Sequence, residues 1–254
     1  MKLHTRVIGT IGQPIVILHG LLGSSDNWFT LGKHLGEKHQ VFLLDQRNHG
    51  LSAWSDTWHY EAMMSDLHAF IQENALENPV VIGHSMGGKV AMLYAGMYPE
   101  ALAKLVVVDI APRYYAPHHQ AILEALNSLE LATITSRQEA DTRLAIHIKE
   151  ADTRQFLLKN LYRKPDNAFA WRMNLDIITK HIEEVGKAFP ANLSYEGDTL
   201  FIRGEKSNYI QNEDTPLIKH HFPKAQIATV ADAGHWVQAE QPQGFLDVLL
   251  PFIV

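Results

Sequence analysis

A serine held between glycines, Gly83-His84-Ser85-Met86-Gly87, joins two unlike stretches of this chain. Pro79-Val80-Val81-Ile82 before it is apolar and β-branched, which predicts a buried strand. Gly88-Lys89-Val90-Ala91-Met92-Leu93-Tyr94-Ala95 after it predicts a helix. A Gly-x-Ser-x-Gly spacing at such a junction marks a sharp turn that strains the serine backbone and pushes the hydroxyl out of the sheet. The glycines belong there because a Cβ would collide with the neighbouring strand and helix. The turn makes Ser85 a candidate nucleophile.

The rest of the chain agrees with a mostly parallel α/β sheet flanked by helices. Apolar runs at Ile15-Val16-Ile17-Leu18, Val41-Phe42-Leu43-Leu44, Leu105-Val106-Val107-Val108, Thr199-Leu200-Phe201-Ile202 and Ile227-Ala228-Thr229-Val230 alternate with helical patterns. Residues 2–8, punctuated by Gly9 and Gly12, read as an edge strand or hairpin, and residues 245–252 as a closing helix. Residues 112–190 break the alternation. They show helical spacing only: Ile122, Leu126 and Leu129; then Phe156, Leu157 and Leu161; then Leu175, Ile178, Ile182 and Val185. Ser136 with Glu139 predicts a capped helix start. The expected organisation is a core of residues 1–111 and 191–254 with a helical cap of residues 112–190, which would roof a pocket.

With 254 residues and 46% hydrophobic content, the chain is long enough for one large domain with an insert. The net charge of -6 argues against nucleic acid as a partner. The insert holds 11 of the 22 Lys+Arg and 10 of the 28 Asp+Glu, so the negative excess lies on the rest. The absence of cysteine excludes disulfides and Cys-ligated metals. The first residues lack the apolar run of a signal peptide, and no apolar stretch is long enough to span a bilayer. A cytoplasmic location is the default expectation.

A serine hydroxyl needs a base, and the base needs an acid to fix its tautomer. In parallel α/β sheets such groups gather at the carboxyl ends of strands. Of the 15 histidines, His235 follows the last strand, with Gly234 giving its loop freedom to turn. His84 belongs with the packing of the turn and His19 with its own loop, while His220 and His221 read as part of a surface helix. Asp109 ends the strand after the serine and is the favoured acid. Glu205 ends the next strand and is its rival, whereas Asp198 lies at the wrong end. Oxyanion donors are expected from the N–H of Met86 and, in the loop His19-Gly20-Leu21-Leu22-Gly23, from Leu21.

These segments, with Asp45-Gln46-Arg47-Asn48-His49-Gly50-Leu51-Ser52, Asp109-Ile110-Ala111-Pro112 and Gly234-His235-Trp236-Val237, resemble the α/β-hydrolase superfamily over nearly the whole chain. The resemblance is greater still to the small YbfF-type bacterial esterases and the related ABHD11-type hydrolases. It implies hydrolysis of a small-molecule acyl ester or thioester, no cofactor and no metal, and a helical cap after the strand ending at Asp109. The wider superfamily carries its acid in a Gly-x-x-Asp pattern after the next strand; here Gly204-Glu205-Lys206-Ser207 places serine there. The YbfF-type relatives share that serine and an aspartate matching Asp109, which implies Asp109 as acid with Ser207 in its hydrogen-bond network. Asp45, Arg47 and His49 are then bracing residues. The same three side chains would also serve C–C bond hydrolysis or a proton-abstracting lyase. A non-catalytic ligand-binding protein on this fold is the third reading.

Overall fold

The β-branched runs form the sheet expected of them. In the computed structural model, which describes residues 1–253, the strands are β1 (Thr5–Ile8), β2 (Pro14–Leu18), β3 (Gln40–Leu44), β4 (Val80–His84), β5 (Lys104–Val108), β8 (Thr199–Gly204) and β9 (Ala225–Val230). Their order across the sheet is β1-β3-β2-β4-β5-β8-β9. All neighbours are parallel except the edge strand β1, which runs antiparallel to β3. The chain adds β3 on one side of β2 and β4 on the other, so the order reverses between β2 and β4, the place where open α/β sheets bind ligands.

Helices cover both faces, which is why the central strands are apolar throughout rather than alternating. Val16, Leu18, Val81 and Val107 face α2 (Tyr60–Glu73) and α3 (Met86–Met97). Ile15, Ile17, Ile82 and Val106 face α1 (Phe29–Leu35) and α10 (Pro242–Ile253), which share that core with α9 (Val237–Glu240). Each buried aliphatic side chain contributes roughly 1.5–3 kcal/mol of transfer free energy, so the two layers hold the strands. The expected closing helix is present and starts earlier, at Pro242. Helix α8 (Thr215–His221) carries His220 and His221, but His221 is buried, its Nδ1 2.8 Å from Leu193 O.

Between β5 and β8 lie α4 (Gln120–Asn127), α5 (Arg137–Leu144), α6 (Ala151–Leu158) and α7 (Leu175–Lys180). Ser136 caps α5, its Oγ accepting from Glu139 N at 3.1 Å. In a full capping box the Glu139 carboxylate would accept from Ser136 N; here it accepts from Thr135 N at 2.9 Å, one residue back. The segment also contains what the helical patterns missed. β6 (Leu161–Arg163) and β7 (Phe169–Trp171) form a separate antiparallel hairpin, and Leu161 belongs to it rather than to the α6 stripe. Strands of three residues are too short to show a period; the local signal was the turn chemistry of Pro165, Asp166 and Asn167, the last with φ +65°.

The two legs of this segment are tied together. Phe189 N donates to Pro112 O and Tyr115 N to Gly186 O, each at 2.8 Å. Lys89, buried on α3, donates its ammonium to Arg113 O at 2.7 Å and to Lys187 O, one carbonyl on each leg. Burial, and then the nearby Arg113, pushes this lysine down to about 7. On the far side Asn160 Nδ2 donates to Leu22 O at 2.7 Å, and Asn174 N to Asn48 O at 2.8 Å. The segment is thereby pinned over the loops that follow β2 and β3.

Candidate active site

The turn after β4 has the strain its sequence demands. Ser85 lies at φ 53° and ψ -117°, and its N donates to Val108 O at 2.9 Å. A Cβ on Gly83 would sit 2.2 Å from Gly87 O, and one on Gly87 would sit 2.6 Å from Leu18 O and His19 O. Those contacts are backbone and cannot yield. Close packing of α3 against β2 and β4 thus requires both glycines.

Asp109 is fully buried at the end of β5, with φ +51°. Its N donates to Ile202 O at 2.8 Å, which continues the β5–β8 ladder past Val108. Oδ1 accepts from Gly204 N at 3.2 Å; Oδ2 accepts from Ser207 Oγ and from His235 Nδ1, the latter at 2.8 Å. Ser207 is therefore in the carboxylate's hydrogen-bond network. Burial pushes Asp109 up to about 6, against the pull of Ser207 and Gly204. Burial, and then the neighbouring His118, holds His235 below the usual histidine range. The imidazole is neutral at pH 7, with Nδ1–H committed to Asp109 and Nε2 left as the basic nitrogen.

The ring is also fixed in orientation. Tyr209 stacks on it, centroids 3.9 Å apart and planes 19° apart. His84 donates Nε2–H to His235 O at 2.8 Å, which matches its expected place in the packing of the turn. The rival acid is elsewhere: Glu205 is exposed and accepts from Asp232 N at 3.0 Å. Asp198 precedes β8 at the opposite edge of the sheet, its carbonyl accepting from Leu105 N.

The loop after β2 is held by buried neutral histidines. His19 donates from Nδ1 to Gly20 O at 2.8 Å and accepts from Gln46 N at Nε2, 3.0 Å. His49 donates to Arg47 O at 3.0 Å and accepts from Leu22 N at 3.2 Å. Each ring needs one protonated and one bare nitrogen, and burial supplies this by lowering His19 and taking His49 down to about 3. Asp45 accepts from Ser25 N at 2.6 Å and Leu51 N at 2.8 Å, and Arg47 pairs with Asp66 at 2.6 Å. The three bracing residues expected from the sequence are so placed. Leu22 takes φ +57°, and Gly20 lies so close to the turn that a Cβ would meet His84 Nδ1 at 2.8 Å. Among the described residues Leu21 N has no protein acceptor. Met86 N opens α3, where a helix has none of its own.

Ser85 and His235 line one cavity of about 210 Å³ between the sheet and the 112–190 segment. Leu21, Ile122, Phe156, Leu157 and Trp236 make its apolar walls. Among the described residues, no Asp, Glu, Lys or Arg side chain lines it. The near-neutral charge of the insert therefore reflects its outer faces. Among the described residues no group of His, Asp or Glu is placed to hold a metal. Tyr209, His118 and His119 also line the cavity, and nothing in the local sequence marks them. Tyr209 lies two residues past Ser207, a spacing that is legible only once Ser207 is placed.

The carboxyl-edge arrangement, the strained serine and the sheet order define the α/β hydrolase fold. The profile described as alpha/beta hydrolase fold matches residues 13–132, and the chain belongs to that family. Among its relatives are the sn-1-specific diacylglycerol lipase ABHD11 of Mus musculus, 41% identical over 248 residues (94% of this chain and 80% of that protein), and Esterase YbfF of Escherichia coli K12, 33% identical over 260 residues (100% and 99%). A solved structure described as a marine microorganism esterase is similar throughout, with 42% identity, a TM-score of 0.96 and 99% of each chain covered.

Proposed function

We propose that this protein is a serine hydrolase that cleaves small to medium acyl esters or thioesters through an acyl-enzyme. The observation that carries the reading is the His235 Nδ1–Asp109 Oδ2 hydrogen bond beside a strained serine in a shared cavity. The esterase and lipase names of the relatives support the reaction class. Ser85 Oγ attacks the carbonyl carbon while His235 Nε2 takes its proton. The N–H groups of Leu21 and Met86 hold the resulting oxyanion. His235 then protonates the leaving alcohol or thiol, the C–O or C–S bond breaks, and an acyl-Ser85 ester remains. Water attacks that ester, giving a proton to His235, and the released Ser85 recovers it. Asp109 fixes the tautomer of His235, and Ser207 helps to hold Asp109.

Residues 112–190 act as the cap that closes the cavity. Its volume of about 210 Å³ limits the size of the acyl chain it can enclose. The walls lack charge, which favours a neutral chain. Quenched reactions with p-nitrophenyl and acyl-CoA esters of graded chain length test this by mass spectrometry. The expected result is an acyl adduct on Ser85, with turnover falling as the chain outgrows the cavity. Turnover without any adduct would instead favour direct attack by a water that His235 activates, and neither adduct nor turnover would favour C–C bond or lyase chemistry or a ligand-binding role.

The pH profile follows from the buried dyad. The reacting base is deprotonated, so kcat/KM rises with pH and is flat above the dyad's apparent pKa. With Asp109 at about 6 and His235 held low, the acid limb is expected at about 6 or below. A limb above 7 in a p-nitrophenyl ester assay would contradict the assignment.

A further inference from the structure

We propose that His118, on the cap, is a positioning residue for the base: its hydrogen bond to Tyr209 keeps that ring stacked on the His235 imidazole. Resting on the hydrolase reading above, this gives the cap a route to the reacting nitrogen.

His118 lies on the leg that leads from β5 into α4, is exposed, and lines the Ser85 cavity. Its Nδ1–H donates to Ala116 O at 3.3 Å, which leaves Nε2 bare to accept the Tyr209 hydroxyl at 2.8 Å. Burial, and then the Asp109 carboxylate, pushes Tyr209 up to about 12, so its hydroxyl keeps the proton it shares. The imidazole of His119, the next residue, packs on that of His118 with centroids 4.2 Å apart. Tyr209 is also held by its backbone. Its N donates to Ser207 Oγ at 3.2 Å, and its O accepts from Oη of Tyr115, a residue on the same leg of the cap. Tyr115 Oη in turn accepts from Ala111 N at 2.8 Å.

Those backbone bonds fix where the Tyr209 side chain begins, not where its ring points. The residue borders the cavity, so the ring has open space into which another rotamer could turn it. The bond to His118 grips the far end of the side chain and opposes that rotation. The consequence falls on His235. Asp109 holds the imidazole by Nδ1 at 2.8 Å, and a single hydrogen bond leaves the plane free to tilt about it. The Tyr209 ring, with centroids 3.9 Å apart and planes 19° apart, removes that freedom. Nε2 must meet the Ser85 hydroxyl in line for proton transfer, so a tilt that costs little stability costs rate.

The test measures kcat and KM for p-nitrophenyl butanoate in four variants. His118→Ala removes the acceptor, and Tyr209→Phe keeps the stacked ring and removes the hydroxyl. The third variant joins these two changes, and His118→Gln keeps an acceptor near the place of Nε2. Each single loss is expected to lower kcat about tenfold and leave KM within about twofold, because the base serves both acylation and deacylation. The double variant is expected to fall no further than either single one, and the glutamine variant to recover most of the rate. His118 is exposed, so its variants should unfold thermally with the wild type. Full activity in His118→Ala, losses that multiply in the double variant, or a raised KM at unchanged kcat would each overturn the positioning role and leave the hydrolase reading standing. The last of these would make His118 a substrate contact. No ester hydrolysis by the wild-type chain would overturn the role together with that reading.

Discussion

Ser85→Ala is expected to lower kcat for a p-nitrophenyl ester by about 10⁵-fold or more. Loss of the hydroxyl removes the atom that forms the acyl bond, and a water at that place lacks its fixed approach. The fold should be unharmed. The turn is set by Gly83, Gly87 and the Ser85 N–Val108 O hydrogen bond, none of which needs the hydroxyl. Thermal unfolding of the variant should therefore track the wild type. Retained turnover in a folded variant would remove Ser85 from the chemistry and end the acyl-enzyme mechanism.

Asp109→Asn against Glu205→Gln separates the two candidate acids. The asparagine variant is expected to lose about 10⁴-fold in kcat. A carboxamide facing His235 Nδ1 can present its N–H₂, which favours the tautomer with the proton on Nε2, the nitrogen that must be bare. Glu205→Gln should stay within about twofold, because the glutamate is exposed and binds Asp232 N rather than the imidazole. A severe loss in the glutamine variant alone would reverse the choice. The buried Asp109 already carries Ser207 Oγ and Gly204 N on its oxygens, so the same substitution also disturbs a network, and stability should be measured alongside.

How much could be read beforehand differs from element to element. The six parallel strands are legible because each is a continuous β-branched or apolar run bounded by polar or turn residues. The junction around Ser85 is legible because two glycines and a serine obey a steric rule confined to five residues. The β6–β7 hairpin is not, since three-residue strands carry no period and their pairing is with each other. Phe156, Leu157 and Leu161 fall at helical spacing, yet α6 ends at Leu158 and Leu161 pairs with Trp171.

The site shows the same division. Its residue types and their places at strand ends are written in the chain, down to Ser207 standing where an acid is usual. Which carboxylate meets His235 is a matter of register. Val108 lies opposite Ile202 and Gly204 opposite Val230, so the end of β5 faces the loops after β8 and β9. Asp109 and His235, 126 positions apart, meet there at 2.8 Å.

The strained turn, the alternation of strands and helices and the set of chemical groups follow from the residues alone, because each rests on local sterics or short-range hydrophobic period. The pairing of Asp109 with His235, the stacking of Tyr209 and the shape of the Ser85 cavity arise in the folded chain. Those depend on contacts between segments far apart in the chain, where position follows from packing and no local pattern records it.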